Sequence, residues 1–165
     1  MTVPTYLNKG DSIAICCPAG YMAAEKVTNC ITTLRQEGYE VIVGENIGSS
    51  SNNYFSGTDA ERINELQRFL DDKNIDAILC ARGGYGISRI IDKLCFKKFV
   101  KHPKWIIGFS DVTVLHTYLF NNFKTVSLHA SMAAAFNGAE ENDNVKTMLA
   151  TLQGKKAIYN INTNL

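Results

Sequence analysis

The feature that most constrains this chain is an alternation of short, wholly apolar runs with segments whose apolar residues recur every three or four positions. Ser12 to Cys17 is such a run, and it ends in the turn Pro18-Ala19-Gly20. Val27, Ile31 and Leu34 then share one helical face that Gly38 terminates. Val41 to Val43 is a second run. After a Gly/Ser/Asn loop from Gly48 to Gly57, Thr58 opens a helix with Glu61 three residues on, the capping-box spacing, and Ile63, Leu66 and Leu70 form its inward stripe. Ile75 to Cys80 is a third strand and Ser88 to Leu94 a helix with Ile90, Ile91 and Leu94 inward. Trp105 to Phe109 is a fourth strand, Val112 to Phe123 another helix, and Val126 to Leu128 a fifth strand. Asn142 to Leu152 reads as helix and Ala157 to Ile161 as a strand-like stretch. Runs that are apolar throughout have both faces covered, as parallel strands joined by crossover helices do. The chain is predicted to be α/β, with a doubly wound, mainly parallel sheet and helices on both faces.

At 165 residues the chain can bury the core of one such domain. A formal net charge of +1 removes a strongly basic nucleic-acid surface from consideration. The densest basic segment, Lys93 to Lys104, is interrupted by Phe96, Phe99, Val100 and Trp105, and reads as a solvated segment with apolar anchors. No apolar run approaches the ~20 residues of a membrane span, and Met1 to Asp11 lacks the pattern of a signal peptide. Neither a nucleic-acid nor a membrane partner is expected. The five cysteines show no C-x-x-C spacing and fall mostly inside apolar patterns, so a reduced, cytoplasmic compartment is expected. No spacing of metal ligands is present, and no cofactor is expected.

Two segments could carry chemistry. Ile106-Ile107-Gly108-Phe109-Ser110-Asp111 delivers a serine from a strand directly into a helix. A serine on such a turn is lifted above the sheet edge, and the helix N-terminus sets free backbone N–H groups beside a developing oxyanion. The nucleophile elbow G-x-S-x-G would have glycine at 112, where this chain has valine. The alternative is that Ser110 or Asp111 only caps the helix. The second segment, Arg82-Gly83-Gly84-Tyr85-Gly86, follows the third strand; its glycines would let backbone amides approach an anion. It matches neither a phosphate-binding P-loop nor G-x-G-x-x-G, and a plain tight turn is its alternative.

Taken in order, Arg82 to Gly86 with Arg89 and Asp92, Pro103-Lys104-Trp105, and Gly108-Phe109-Ser110-Asp111 with Thr113, Leu115 and His116 resemble the LD-carboxypeptidase family. That family includes muramoyltetrapeptide carboxypeptidases and microcin immunity peptidases. Leu7 to Asp11, Pro18-Ala19-Gly20, and Phe55 to Asp59 with Arg62 extend the resemblance over nearly the whole chain. It implies a flavodoxin-like, class I glutamine amidotransferase-like sheet. It also implies Ser110 as nucleophile, with the backbone N–H groups of Gly84 and Asp111 as oxyanion hole. Arg82, Tyr85 and His129 become candidates for contact with a murein peptide substrate. The family's Glu and His lie in a C-terminal domain that no stretch of this chain matches. We therefore expect a nucleophile-bearing domain over 1–150 and the start of a linker over 151–165, with the full-length protein a homodimer. At 129–132 the chain reads His-Ala-Ser-Met where the family tends to show His-Gly-Pro-Met.

Of the three histidines, His102 sits in a polar connector and His116 lies six residues past Ser110, too far round the helix to reach its hydroxyl. His129 ends a strand expected beside the one carrying Ser110, where it serves either as a base or as a structural residue bonded to backbone. Cys80 also ends a strand, but Ala81-Arg82 follow it instead of an elbow. The functions left open are a serine LD-carboxypeptidase acting on murein tetrapeptides, an immunity peptidase acting on an antibiotic conjugate, and a non-catalytic small-molecule-binding domain.

Overall fold

Five of the apolar runs pair into one sheet. In the computed structural model, which describes residues 1–49, 54–137 and 143–157, the strands are β1 (Ser12–Cys16), β2 (Glu40–Val43), β3 (Ala77–Cys80), β4 (Trp105–Gly108) and β5 (Leu128–His129). Their order is β2-β1-β3-β4-β5, and every neighbouring pair is parallel. The helices are α1 (Thr28–Gln36), α2 (Asp59–Asp71), α3 (Ile87–Ile90), α4 (Lys97–Lys101), α5 (Thr113–Phe123) and α6 (Asp143–Leu152).

Strand alternation decides which helix covers which face. Ile13 and Ile15 of β1 face a core completed by Cys30 and Leu34 of α1 and by Met148 and Leu152 of α6. Ala14 and Cys16, pointing the other way, meet Leu66 and Phe69 of α2, Ile90 of α3, Phe99 of α4 and Leu115 of α5. The sheet is thus doubly wound, as its apolar runs require.

Local departures from the sequence reading have physical causes. The inward stripe of α2 is rotated: Arg62, Glu65, Leu66, Phe69 and Leu70 are buried, while Ile63 is only partly so. The segment 93–104 is more than a solvated connector. It contains α4, buries Phe96 and Phe99, and buries Lys104, whose ammonium donates to the carbonyls of Phe69 and Asp72 at the end of α2. Helix is confined to Ile87–Ile90, followed by a 3₁₀ turn over Ile91–Lys93. The fifth strand lies two residues later than expected, because Val126 bonds to Thr2 and Thr125 bridges Thr2 instead of joining β4. The strand-like stretch at Ala157 to Ile161 falls, beyond residue 157, outside the described residues.

Parallel strands put all their C-terminal ends at one edge. The order reverses between β1 and β3, the position at which open α/β sheets bind ligands. The turns after β1, β3 and β4 all emerge here. Among the described residues no helix is long and apolar enough to cross a membrane.

Candidate active site

Ser110 follows β4 by two residues and opens the 3₁₀ turn Ser110–Val112 that runs into α5. Its φ is 62°, in the left-handed region, and its side chain is exposed. That backbone costs a non-glycine residue roughly 1–3 kcal/mol and persists only where its surroundings enforce it. Here Gly108 makes the room the turn needs. A Cβ at that position would stand 2.9 Å from a methyl of Val112, so only glycine lets the turn fold back this tightly. Lys124 is the other non-glycine residue with positive φ among those described, and it ends α5 in an ordinary left-handed cap. Ser110 does not serve as a cap: neither the 3₁₀ turn nor α5 has a side-chain capping bond at its start.

The glycine loop lies directly against this turn. A Cβ on Gly83 would be 3.2 Å from the Phe109 carbonyl oxygen, 3.3 Å from Ser110 Cβ and 3.4 Å from the Asp111 nitrogen. Gly84 has φ +104°, and a Cβ there would run into the hydroxyl of Tyr54. On the loop's other side, Gly20 N–H donates to the Gly83 carbonyl at 3.1 Å. Arg82 is exposed and donates through Nη1 to the Tyr21 carbonyl at 3.0 Å, fastening the loop to the turn after β1. Tyr85 is half exposed, with its ring 6.0 Å from that of Phe55. The exposed rings of Tyr54, Tyr85 and Phe109 flank the glycine loop and the serine turn. The Asp111 carboxylate points back into the loop, its Oδ2 accepting the Ile87 N–H at 2.9 Å.

The charged residues that set this arrangement are ones the sequence reading did not single out for a role. Arg62 of α2 is 1% exposed. Its Nη1 donates to the carbonyls of Pro18 (2.7 Å) and Gly86 (3.2 Å), and its Nη2 pairs with Asp59. The guanidinium lies 4.7 Å from the Phe55 ring centroid, and Arg89, also paired with Asp59, lies 5.3 Å from the same centroid. One turn along α2, the buried Glu65 carboxylate accepts the Asn46 N–H at 2.9 Å, with the amides of Cys17 and Glu45 also directed at it. Burial raises its pKa, and those donors oppose the rise. Arg62 and Glu65 lie one position off the stripe Ile63, Leu66 and Leu70 that the sequence offers, so its periodicity gives no sign that they are buried.

The histidines divide as follows. His116 is buried, with Nε2 bonded to the Gly108 carbonyl at 2.9 Å. Burial holds its pKa below the ordinary value, against the pull of that carbonyl. His129, exposed on β5 opposite Gly108, has its ring 6.2 Å from Phe109 and 6.1 Å from His116. His102 is at the opposite edge, before β4. Among the described residues, none of the three bonds to the Ser110 hydroxyl. Cys80 is fully buried beside Cys16, its register partner on β1. No group of three or more His, Cys, Asp or Glu among the described residues is placed to hold a metal ion. The site therefore joins an exposed, conformationally strained hydroxyl to backbone amides at the start of a helix and in a glycine loop. That combination suits nucleophilic attack on a carbonyl with stabilisation of the resulting oxyanion.

A sequence profile of the LD-carboxypeptidase N-terminal domain matches residues 13–130. A probable murein peptide carboxypeptidase of Bacillus subtilis is 33% identical over 138 residues, which is 84% of this chain and 43% of that protein. A murein tetrapeptide carboxypeptidase of Pseudomonas aeruginosa is 27% identical over 122 residues, covering 73% and 39%. Among solved structures, a microcin C7 self immunity protein superposes with a TM-score of 0.84 at 21% identity, over 95% of this chain and 48% of its own. The muramoyltetrapeptide carboxypeptidase of Oxalobacter formigenes superposes with a TM-score of 0.73 at 26% identity, over 85% and 47%. The chain spans less than half the length of each of these relatives.

Proposed function

Since the chain belongs to the LD-carboxypeptidase family through its N-terminal domain, we propose that it carries the nucleophile of a serine peptidase that removes a terminal D-amino acid from L,D-linked murein peptides. The observation that carries this reading is Ser110, held exposed at φ 62° against Gly83 at the C-terminal edge of a parallel sheet. Its Oγ attacks the carbonyl that joins an L-centred residue to terminal D-alanine. The backbone N–H groups of Gly84 and Asp111 receive the oxyanion, each such donor being worth ~10²–10³ in turnover. Collapse of the tetrahedral adduct expels the D-amino acid, which takes a proton as it leaves. Water then releases the acyl group from Ser110. Arg82, Tyr85 and His129 line the approach to the substrate.

A serine hydroxyl needs a base. Within the described residues His116 is committed to Gly108, and His129 stands beside Phe109 without bonding to Ser110. We assign the base, a histidine oriented by a glutamate, to the half of the relatives' length that this chain does not span. The murein substrate is supported by the relatives that are a probable murein peptide carboxypeptidase and a murein tetrapeptide carboxypeptidase; recycling of cell-wall peptides and a cytoplasmic setting are part of the proposal. The microcin immunity likeness, at 21% identity, speaks for the fold alone.

The test is release of D-alanine from an L,D-linked murein tetrapeptide. The 165-residue chain alone should retain no more than the ~10³–10⁴-fold over water that an oxyanion site gives without its base. The chain joined to a C-terminal half such as its relatives carry should turn over, and Ser110→Ala should abolish that turnover. Full turnover by the isolated chain, lost on His129→Ala, would make His129 the base and overturn the assignment.

A further inference from the structure

Three turns meet at the proposed site. They are 18–20 after β1, 83–87 after β3 and 108–111 after β4. Two charged side chains tie them together from beneath. Arg62 reaches out of α2, 1% exposed, and uses one nitrogen to bind the carbonyls of Pro18 and Gly86 at 2.7 and 3.2 Å. Asp111, one residue past the serine, accepts the Ile87 N–H at 2.9 Å. The first link joins turn one to turn two, and the second joins turn two to turn three. Both links grip one peptide group, Gly86–Ile87, by its carbonyl and its N–H. A Cβ on Gly86 would stand 2.7 Å from Arg62 Nη1, so glycine at 86 is what admits the guanidinium to the carbonyl. The chain spends a fully buried guanidinium on this contact, where an apolar side chain would satisfy α2 equally well. Asp59 and the Phe55 ring, 4.7 Å away, neutralise and cover it.

Resting on the reading of Ser110 and the glycine loop as the catalytic site, we propose that Arg62 and the Asp111 carboxylate are positioning residues that fix the loop's amides against the serine turn. Neither touches the reacting atoms. Both hold the Gly86–Ile87 peptide, which closes the segment carrying Gly83 and Gly84, and the donor from this segment must meet an oxyanion at a defined distance. A displacement of about 1 Å at such a site costs on the order of 10²-fold in rate. Arg82 of the same loop has its own anchor on the Tyr21 carbonyl, so contact with the rest of the peptide depends on the pair less than the oxyanion donor does. The pair therefore acts on turnover more than on substrate affinity.

The experiment measures kcat and KM for D-alanine release by the chain joined to a C-terminal half such as its relatives carry, with rates normalised to the folded fraction from thermal melts. Arg62→Met and Asp111→Ala should each lower kcat by about 10- to 100-fold, with KM within about threefold. Arg62→Lys keeps the charge but loses the planar fork, and should fall between. Asp111→Asn keeps an acceptor for Ile87 N–H and should recover part of the loss. The Arg62→Met/Asp111→Ala double variant should fall short of the product of the two single effects, because both act through one loop. Arg68→Met, an exposed cation of the same helix, should change nothing. If Ser110→Ala is inactive while Arg62→Met and Asp111→Ala keep wild-type kcat, the positioning role is wrong and the site stands. The role is equally overturned if activity falls only in step with folded protein, or if the two effects multiply. If Ser110→Ala still turns over, the reading of the site itself fails, and the inference with it.

Discussion

At Ser110 the backbone conformation and the chemistry demand opposite things. A serine pays for φ 62°, whereas glycine adopts it freely and alanine does not. Replacing the hydroxyl by either residue removes the nucleophile, so Ser110→Ala and Ser110→Gly should be equally inactive in the chain joined to a relative's C-terminal half. They should differ in stability. Ser110→Gly should unfold in urea about 1 kcal/mol later than Ser110→Ala, because only glycine relieves the left-handed strain. Equal midpoints would mean that the turn stores no strain. The same residue shows why part of the site was readable in advance. A strand, a serine, an acidic residue and a helix are contiguous in sequence, so their geometry is local. Arg62 was not readable in this way. Its partners are Pro18, 44 residues before it, and Gly86, 24 residues after it, and no local pattern announces a bond of that reach.

Among the elements, α2 does the most to hold the active edge, since it carries Asp59, Arg62 and Glu65. Its start is fixed by a complete capping box, in which Thr58 Oγ1 accepts the Glu61 N–H and the Glu61 carboxylate accepts the Thr58 N–H. Its end is fixed by the buried Lys104. Thr58→Ala should lower the unfolding free energy of the chain by about 1 kcal/mol, measured by urea denaturation. Far less would show that the carboxylate alone suffices. The capping box was legible because its spacing is a sequence pattern, and so were the strands, because runs such as Ala77 to Cys80 are apolar on both faces. The Lys104 cap was hidden, because a lysine beside Pro103 reads as solvent-exposed until the fold places it under α2. The fifth strand was misplaced because Val126, apolar enough for the sheet, is claimed by Thr2 from the far end of the chain.

For the whole molecule, the two-sided core sets how stability responds to alkali. Burial pushes the Cys17 thiol up to about 12 and raises Cys30 further, while a hydrogen bond to Cys80 and burial raise Cys16. In the unfolded chain these thiols ionise near 9.0. A folded pKa above the unfolded one means that stability is complete below about pH 9 and is lost as pH climbs towards 12, by up to about 1.4 kcal/mol per unit for each thiol. Lys104 acts in the other sense. Burial lowers its pKa from 10.5 to about 8, so its contribution improves between those values. Three thiols outweigh one amine, and the urea midpoint should fall steadily from pH 9 to 11. Cys30→Ala should make that fall shallower; a flat profile in the parent would refute the burial of the thiols. The common direction of the strands has a further, practical consequence. Because every C-terminal end lies at one edge, the opposite edge, with Lys73, Lys101 and His102, carries no part of the proposed reaction. The domain thus has a working end and a handling end. A bead or sensor surface coupled through Lys101 would hold every molecule with its serine facing the solution.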